Sequence, residues 1–419
     1  MAEGSSIFSE ITPSQRRTLL AAALGWMLDA FDAMLYALVL THLMRDLGMS
    51  KATSGLLYTL TLLASGVGGL LFGWIADRVG RKRALMLSIL TYSISSFASG
   101  LATSVLMLGV FRFVLGLGMG GEWNTGATLV AETWPAESRA KAISVVQSSW
   151  ALGYALAALV AGVGLRYANW RMVFFVGIVP ALVILWIQRS VPESSMWETH
   201  RTSRGTSPAA QAVAQSAGFA ELFRPPYARA TFSLLLANFF GLFAWWGLFT
   251  WIPPYLSLPV ENGGRGFSVM ATTTLLVSLN LFGMFPGYLS FGWVADRLGR
   301  RGAFVAYTAC AAILVPFYAI AREPWLLMAL GILTAFFGTG FFSGSGISGS
   351  EIFPTSVRAR ALGFTYNGAR TMSSIAPFVI GRVGQSKGLD WAFYLCAASF
   401  LLAAAAATQL PETRGRLLD

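Results

Sequence analysis

Gly73-Trp74-Ile75-Ala76-Asp77-Arg78-Val79-Gly80-Arg81 returns 219 residues later as Gly292-Trp293-Val294-Ala295-Asp296-Arg297-Leu298-Gly299-Arg300. Glu132, Pro135 and Arg139 return at the same spacing as Glu351, Pro354 and Arg358. Pro192-Glu193 returns, again at 219, as Pro411-Glu412. Three separate matches at one offset identify a duplicated chain. Each short polar motif sits between long apolar stretches, a pattern expected of paired helical bundles in a membrane.

The composition agrees. Of 419 residues, 55% are apolar and only 12% charged, about half the usual ~25% charged share. A soluble domain of this size has too little charge here to cover its surface. The 44 glycines show no period of three, and 30 Phe with 14 Trp exclude a disordered chain. Two Cys and two His supply neither a disulfide framework nor metal-ligand spacing. No nucleophile–His–acid set is present, so the chain reads as a non-enzyme without a cofactor.

A helix crossing a bilayer needs roughly 20 mostly apolar residues. Twelve such stretches are expected, at about 17–38, 53–75, 84–102, 105–130, 142–165 and 169–188, then 229–253, 269–291, 303–321, 325–347, 361–382 and 390–409. The first 16 residues are polar, so no cleavable leader is expected. With the N-terminus inside, 20 Lys/Arg fall on the cytoplasmic side and eight on the other. That bias predicts both termini in the cytoplasm. It also accounts for most of the net charge of +11 without a nucleic-acid partner. The halves are 1–190 and 227–419, joined by a polar linker at 191–226 whose Ala/Gln part, 209–220, is either an interfacial helix or flexible chain.

In the repeated motifs, Gly73 and Gly292 are expected to permit close helix contact. Asp77 and Asp296 can pair with a base or cap the next helix. Arg78, Arg81, Arg297 and Arg300 can meet lipid headgroups or carboxylates. Glu132 with Arg139, and Glu351 with Arg358, form a candidate gate that breaks when the halves rock apart.

The Gly-x-x-x-Asp-Arg-x-Gly-Arg pattern in both halves resembles the major facilitator superfamily over essentially the whole chain. This implies an all-α fold of 12 transmembrane helices in two pseudo-symmetric six-helix bundles. Leu24-Gly25-Trp26-Met27-Leu28-Asp29-Ala30-Phe31-Asp32, and Arg112-Phe113 followed by Gly116-Leu117-Gly118-Met119-Gly120-Gly121-Glu122-Trp123, are similar to helices one and four of the sialate:proton symporters. That group includes lactate and pyruvate permeases. Trp134-Pro135, Trp170-Arg171 and Val191-Pro192-Glu193-Ser194 fit as well. The aromatic acid:proton symporters share a related Asp-x-x-Asp element.

Ionisable residues within a span cost several kcal/mol unless they pair or face a cavity. Asp29 and Asp32, three residues apart, share roughly one helix face. Arg112 lies at a depth similar to Asp32; a pair of Arg112 with either aspartate is expected, and Arg112 is also a candidate substrate contact that assists Arg370. One of the two aspartates is the candidate proton carrier. Glu122, placed near the cytoplasmic end of its span, is either a second protonation point or a packing acid. Arg370 is ~13 Å into span eleven, near mid-membrane, with no acid in helices seven to eleven at that depth. It is the candidate anchor for a substrate carboxylate. Asn367 and Tyr366 lie beside it, and Tyr36, Tyr58, Gln147, Asn238 and Asn280 are candidate path residues. Trp245, Trp246 and Trp251 read as an outer aromatic belt, or as a stacking surface for a ring.

The expected function is proton-coupled symport of a small organic anion by one chain, in a bacterial inner membrane and among membrane lipids. By the group resemblance the substrate is a lactate- or pyruvate-like monocarboxylate or a sugar acid. The alternatives are an aromatic carboxylate, and an uncoupled facilitator.

Overall fold

The computed structural model describes residues 11–134, 136–193, 219–353 and 361–414, and of residues 124, 131, 136–141 and 219–220 the backbone alone. Every regular element among them is helical. The first half runs α1 (Pro13–Asp46), α2 (Lys51–Val79), α3 (Arg81–Ser99), α4 (Val105–Thr133), α5 (Ala136–Tyr167) and α6 (Trp170–Ser190). The second runs α7 (Ala228–Ser257), α8 (Val269–Leu298), α9 (Arg300–Ile320), α10 (Pro324–Ile352), α11 (361–387) and α12 (Leu389–Ala407).

Ten of these helices are long and apolar enough to cross a membrane. The other two, α3 and α11, miss that mark for local reasons. Helix α3 opens on Arg81-Lys82-Arg83 and is serine-rich; among its hydroxyls, Ser88 donates to the Gly118 carbonyl at 2.7 Å. Helix α11 is interrupted by a π-helical turn, Gly363–Gly368, and restarts at Ala376 with Pro377 in its first turn. Several helices outrun their apolar stretches because polar caps extend them. Thr12 and Gln15 form a reciprocal capping box that starts α1, and Ser50, Ser104 and Ser268 cap α2, α4 and α8.

Helix pairs in one half recur in the other. Helices α2 and α3 pack on α4, and α8 and α9 pack on α10. The close approach of α2 to α4 depends on small residues. A Cβ on Gly116 or Gly120 would collide with the backbone carbonyl of Thr61 or Ser65. Outward faces carry large apolar side chains, including Leu70, Leu106, Phe282 and Trp293, the surface expected against lipid.

The duplicated motif builds the same construction twice. Gly80 and Gly299 turn the chain with φ of 108° and 84°, which favours glycine. Arg81 Nη1 bonds Asp77 at 2.8 Å and its Nε reaches Glu132 at 3.3 Å. Arg300 does the same with Asp296 at 2.8 Å and Glu351 at 2.9 Å. Glu193 accepts the Lys82 backbone N–H at 3.1 Å, and Glu412 those of Arg300 and Arg301 at 2.8 and 3.3 Å. The gate acids therefore take Arg81 and Arg300 as partners. The Arg139 side chain and Arg358 lie outside the described residues, as does the Ala/Gln segment. Arg78 stacks on Trp74 at 3.6 Å, and the carbonyl of Arg297 accepts from Arg414 at 3.0 Å. Gly73 and Gly292 correct the sequence reading: a Cβ on either would meet only open space, so no close helix contact depends on them here.

Bonds between the halves gather at the opposite end. Thr41 bonds Ser257 at 2.8 Å, Lys51 reaches the Asn262 carbonyl at 2.8 Å, and the Phe378 N–H donates to Thr59 at 3.3 Å. The halves are thus latched at the end away from Gly80 and Gly299.

Burial pushes Glu412 up, but N–H bonds from Arg300, Arg414, Arg301 and Thr413 outweigh it and hold the carboxyl below its ordinary range. Its cap on α9 is therefore complete above the ordinary carboxylate range and is lost as pH falls from there through the lowered value of the folded protein. Glu412→Gln should lower the melting temperature in detergent at neutral pH, by the equivalent of roughly 0.5–2 kcal/mol. The gap should close on acidification. Equal melting at neutral pH would contradict this role.

Candidate functional site

The site is built where α1, α5, α7, α8, α10 and α11 converge. Trp26 comes from α1, Gln147 and Trp150 from α5, and Leu242, Trp245 and Trp246 from α7. Tyr288 comes from α8, Phe342 from α10, and Tyr366 and Arg370 from α11. Together they line one cavity. Its volume is ≈ 20 Å³, room for about one water by a need of ~10–15 Å³. The cage is largely filled by its own side chains.

Ring contacts hold it together across the two halves. Trp150 lies 4.8 Å from Trp26, 6.0 Å from Trp245 and 5.9 Å from Trp246, centre to centre. Trp245 meets Phe342 at 5.4 Å, and Tyr58 meets Trp246 at 5.9 Å. These separations lie in the favourable range for aromatic pairs. The belt reading of Trp245, Trp246 and Trp251 is overturned, since all three are buried. Trp251 donates to the Pro377 carbonyl at 2.9 Å and pins α7 to α11.

The cage's polar groups are short of partners. The indole N–H groups of Trp26, Trp150, Trp245 and Trp246 have no hydrogen-bond partner among the described residues, nor does Arg370 Nη2. Buried donors are nearly always satisfied, and each exception costs ~1–3 kcal/mol. Five of them around one cavity are the donor set a carboxylate or other acceptor-bearing ligand would use.

Asp29 and Arg370, and Glu122 and Arg370, are within electrostatic reach of each other across the halves. Both Asp29 oxygens and Glu122 Oε2 lack hydrogen-bond partners. The sequence reading found no acid for Arg370 because it searched helices seven to eleven; the acids come from α1 and α4. Glu122 is also deeper than expected. Helix α4 continues to Thr133, which leaves Glu122 ~16 Å from that end.

Asp32 and Arg112 form a separate buried set inside the first half. Ser96 donates to Asp32 Oδ1 at 2.7 Å. Arg112 lies within electrostatic reach of Asp32 and 5.0 Å above the Phe174 ring, with its Nε 3.5 Å from Ser99 Oγ. Arg112 does not line the cavity. Asp29 and Asp32 thus serve different partners despite their three-residue spacing.

Of the path candidates, Gln147 and Tyr366 line the cavity. Tyr36 and Tyr58 flank it, bonded to the carbonyls of Ser54 and Ala33 at 2.9 and 3.4 Å. The three asparagines do not line it. Asn238 donates to the Thr365 carbonyl in the π turn of α11 at 3.1 Å, and Asn280, in the π turn of α8, donates to the Leu276 carbonyl at 2.8 Å. Asn367 is exposed, because the same π turn breaks the three-residue register that would have set it beside Arg370.

Trp26, Trp150, Leu242, Tyr288 and Phe342 were not singled out from sequence. The 219-residue offset carried a signal for five members of the cage, in three pairs of positions. It equates Trp26 with Trp245, Gln147 with Tyr366, and Trp123 with Phe342.

Comparisons with known proteins converge on one family. The model of the Major Facilitator Superfamily matches residues 22–275 and 266–416. A probable 4-methylmuconolactone transporter of Cupriavidus pinatubonensis is 35% identical over 97% of this chain and 93% of its own. The sialic acid transporter NanX of Escherichia coli is 31% identical, covering 94% and 93%. The niacin transporter NiaP of Acinetobacter baylyi is 29% identical, covering 96% and 95%. The fold is also that of the E. coli xylose transporter in a partially occluded inward open conformation, with a TM-score of 0.76 at 19% identity over 97% and 100% of the two chains. These relatives span several kinds of organic acid and metabolite. The chain is an integral membrane protein and belongs to the Major Facilitator Superfamily.

Proposed function

We propose that this chain is a secondary transporter that carries planar unsaturated or aromatic monocarboxylates together with protons. The observation that carries the reading is Arg370 Nη2, unpartnered in a cage that also holds four unpartnered indole N–H groups. The guanidinium suits a carboxylate bidentately, and the indoles offer a ring both faces and donors. A lactate-sized anion would leave most of that aromatic surface unfilled. The muconolactone and niacin relatives favour the ring-bearing class over lactate, pyruvate or a sugar acid, and the sialic acid relative marks the alternative.

The transport cycle follows from the fold. The charge bias along the chain supports twelve spans with both termini in the cytoplasm. The latch at Thr41, Lys51 and Thr59 then closes the outer end, and the Arg81 and Arg300 clusters lie at the inner end. Rocking of residues 1–190 against 227–419 about the cage would open it to either side in turn. Because the closed cavity holds about one water, the indoles must separate before a ring can enter.

Two outcomes test this in proteoliposomes containing purified protein. Benzoate and nicotinate should accumulate when the outside is more acidic than the inside, and an excess of lactate or pyruvate should compete poorly. Uptake of lactate or pyruvate with indifference to benzoate would return the substrate to the small-acid class. Arg370→Ala should weaken benzoate binding on the order of 10- to 100-fold, from loss of ~1.5–3 kcal/mol of charged hydrogen bonding. Arg370→Lys should fall between, since it keeps the charge without the fork. Unchanged affinity in Arg370→Ala would overturn the anchor.

A further inference from the structure

Arg370 is one positive charge facing two acids. Asp29 lies three residues beyond Trp26, which lines the cavity, and is fully buried. Glu122 is buried too, with its carboxyl packed against Gly25, beside Trp26, in the space a Cβ there would need. The remaining titratable groups around them are accounted for. Asp32, nearest to Asp29 on α1, has its own neutralising set in Ser96 and Arg112. Tyr58 from α2 and Tyr92 from α3 are also in reach and are neutral phenols. Helices α5 and α7 face the cage with Gln147 and indoles, which do not titrate.

A net charge at this depth costs several kcal/mol, so the set must balance. With both acids ionised it carries one surplus negative charge. With one proton it is neutral. We infer that Asp29 and Glu122 share a single proton in the empty transporter, and that a substrate carboxylate arriving at Arg370 draws in a second. This rests on the proposed anion site and fixes its proton count. The incoming anion adds one negative charge to Arg370, and the remaining ionised acid takes one proton from solution, which restores neutrality. When the anion leaves on the other side, that proton leaves with it. Transport of a monoanion is then electroneutral, one proton for one carboxylate. The two acids are interchangeable: with one replaced by its amide, the other pairs with Arg370 in the empty state and still protonates when substrate binds.

The test uses the full chain in nanodiscs with benzoate as the probe. In lightly buffered solution, a pH indicator should report about one proton taken up per benzoate bound. The count should be the same in the parent, in Asp29→Asn and in Glu122→Gln. The double variant should bind benzoate with no proton uptake and no pH dependence of affinity. Loss of uptake in either single variant, or its survival in the double, overturns the shared proton. A ligand-free arm stands independently. The infrared C=O stretch of a protonated carboxyl should be present in the parent near neutral pH and weaker by one group in each single variant. The same band strength in parent and single variants overturns the inference. If that infrared pattern holds while benzoate fails to bind the parent, the substrate class has failed and the shared proton stands.

Discussion

A guanidinium buried between the helices of a membrane protein cannot stand without compensation, and the arrangement around Arg370 is the form that compensation takes here. Its own half offers no acid at that depth. Asp29 and Glu122 reach it from α1 and α4 of the other half, so the charge balance of the site depends on how the halves sit together. Four indoles surround the cavity beside it and leave their N–H groups without a partner among the described residues. Under the proposed function, a carboxylate that enters would compete with the two acids for Arg370 and take up the idle donors, so that binding, proton uptake and contact between the halves would be one event.

The duplication separates scaffold from chemistry. Elements repeated at an offset of 219 do the same structural work twice: Gly80 and Gly299 turn the chain, Arg81 and Arg300 gather two carboxylates each, and Glu193 and Glu412 cap the next helix. The cage is partly repeated as well, through Trp26 and Trp245 and through Gln147 and Tyr366. The charges are not. Arg370 corresponds to Ala151, Asp29 to Leu248 and Glu122 to Phe341. The aromatic cage thus has a base on the wall from the second half and two acids behind the wall from the first, and the proposed rocking would change their distance.

Much of this was legible in the sequence, for physical reasons. Long apolar stretches, the charge bias and the repeated motif determine a helical membrane fold, and a lone intramembrane arginine points to the site. Tyr366 and Gln147 were found because polar side chains in apolar helices are rare. The tryptophans of α7 stayed undecided between belt and stacking surface because indoles at a membrane boundary and indoles around a cavity have the same local sequence, and only the packing of α7 among its neighbours distinguishes them. Asn238 and Asn280 were misread because a π turn, invisible in composition, leaves carbonyls that an amide must satisfy. Arg81 and Arg300 were not foreseen as partners of Glu132 and Glu351 because it is the turn at Gly80 or Gly299 that brings them close; the expected partners Arg139 and Arg358 lie outside the described side chains.

The central claim is that an aromatic cage around Arg370 reads a flat ring attached to a carboxylate. Calorimetric binding of benzoate and of its saturated analogue cyclohexanecarboxylate to the purified protein tests it most directly. The two anions share charge and nearly the same size, and differ in flatness and π character. Stacking of ~0.5–1.5 kcal/mol per ring pair, over two indoles, predicts that benzoate binds on the order of 10-fold tighter or more. Equal affinities, or a preference for the saturated ring, would contradict the account.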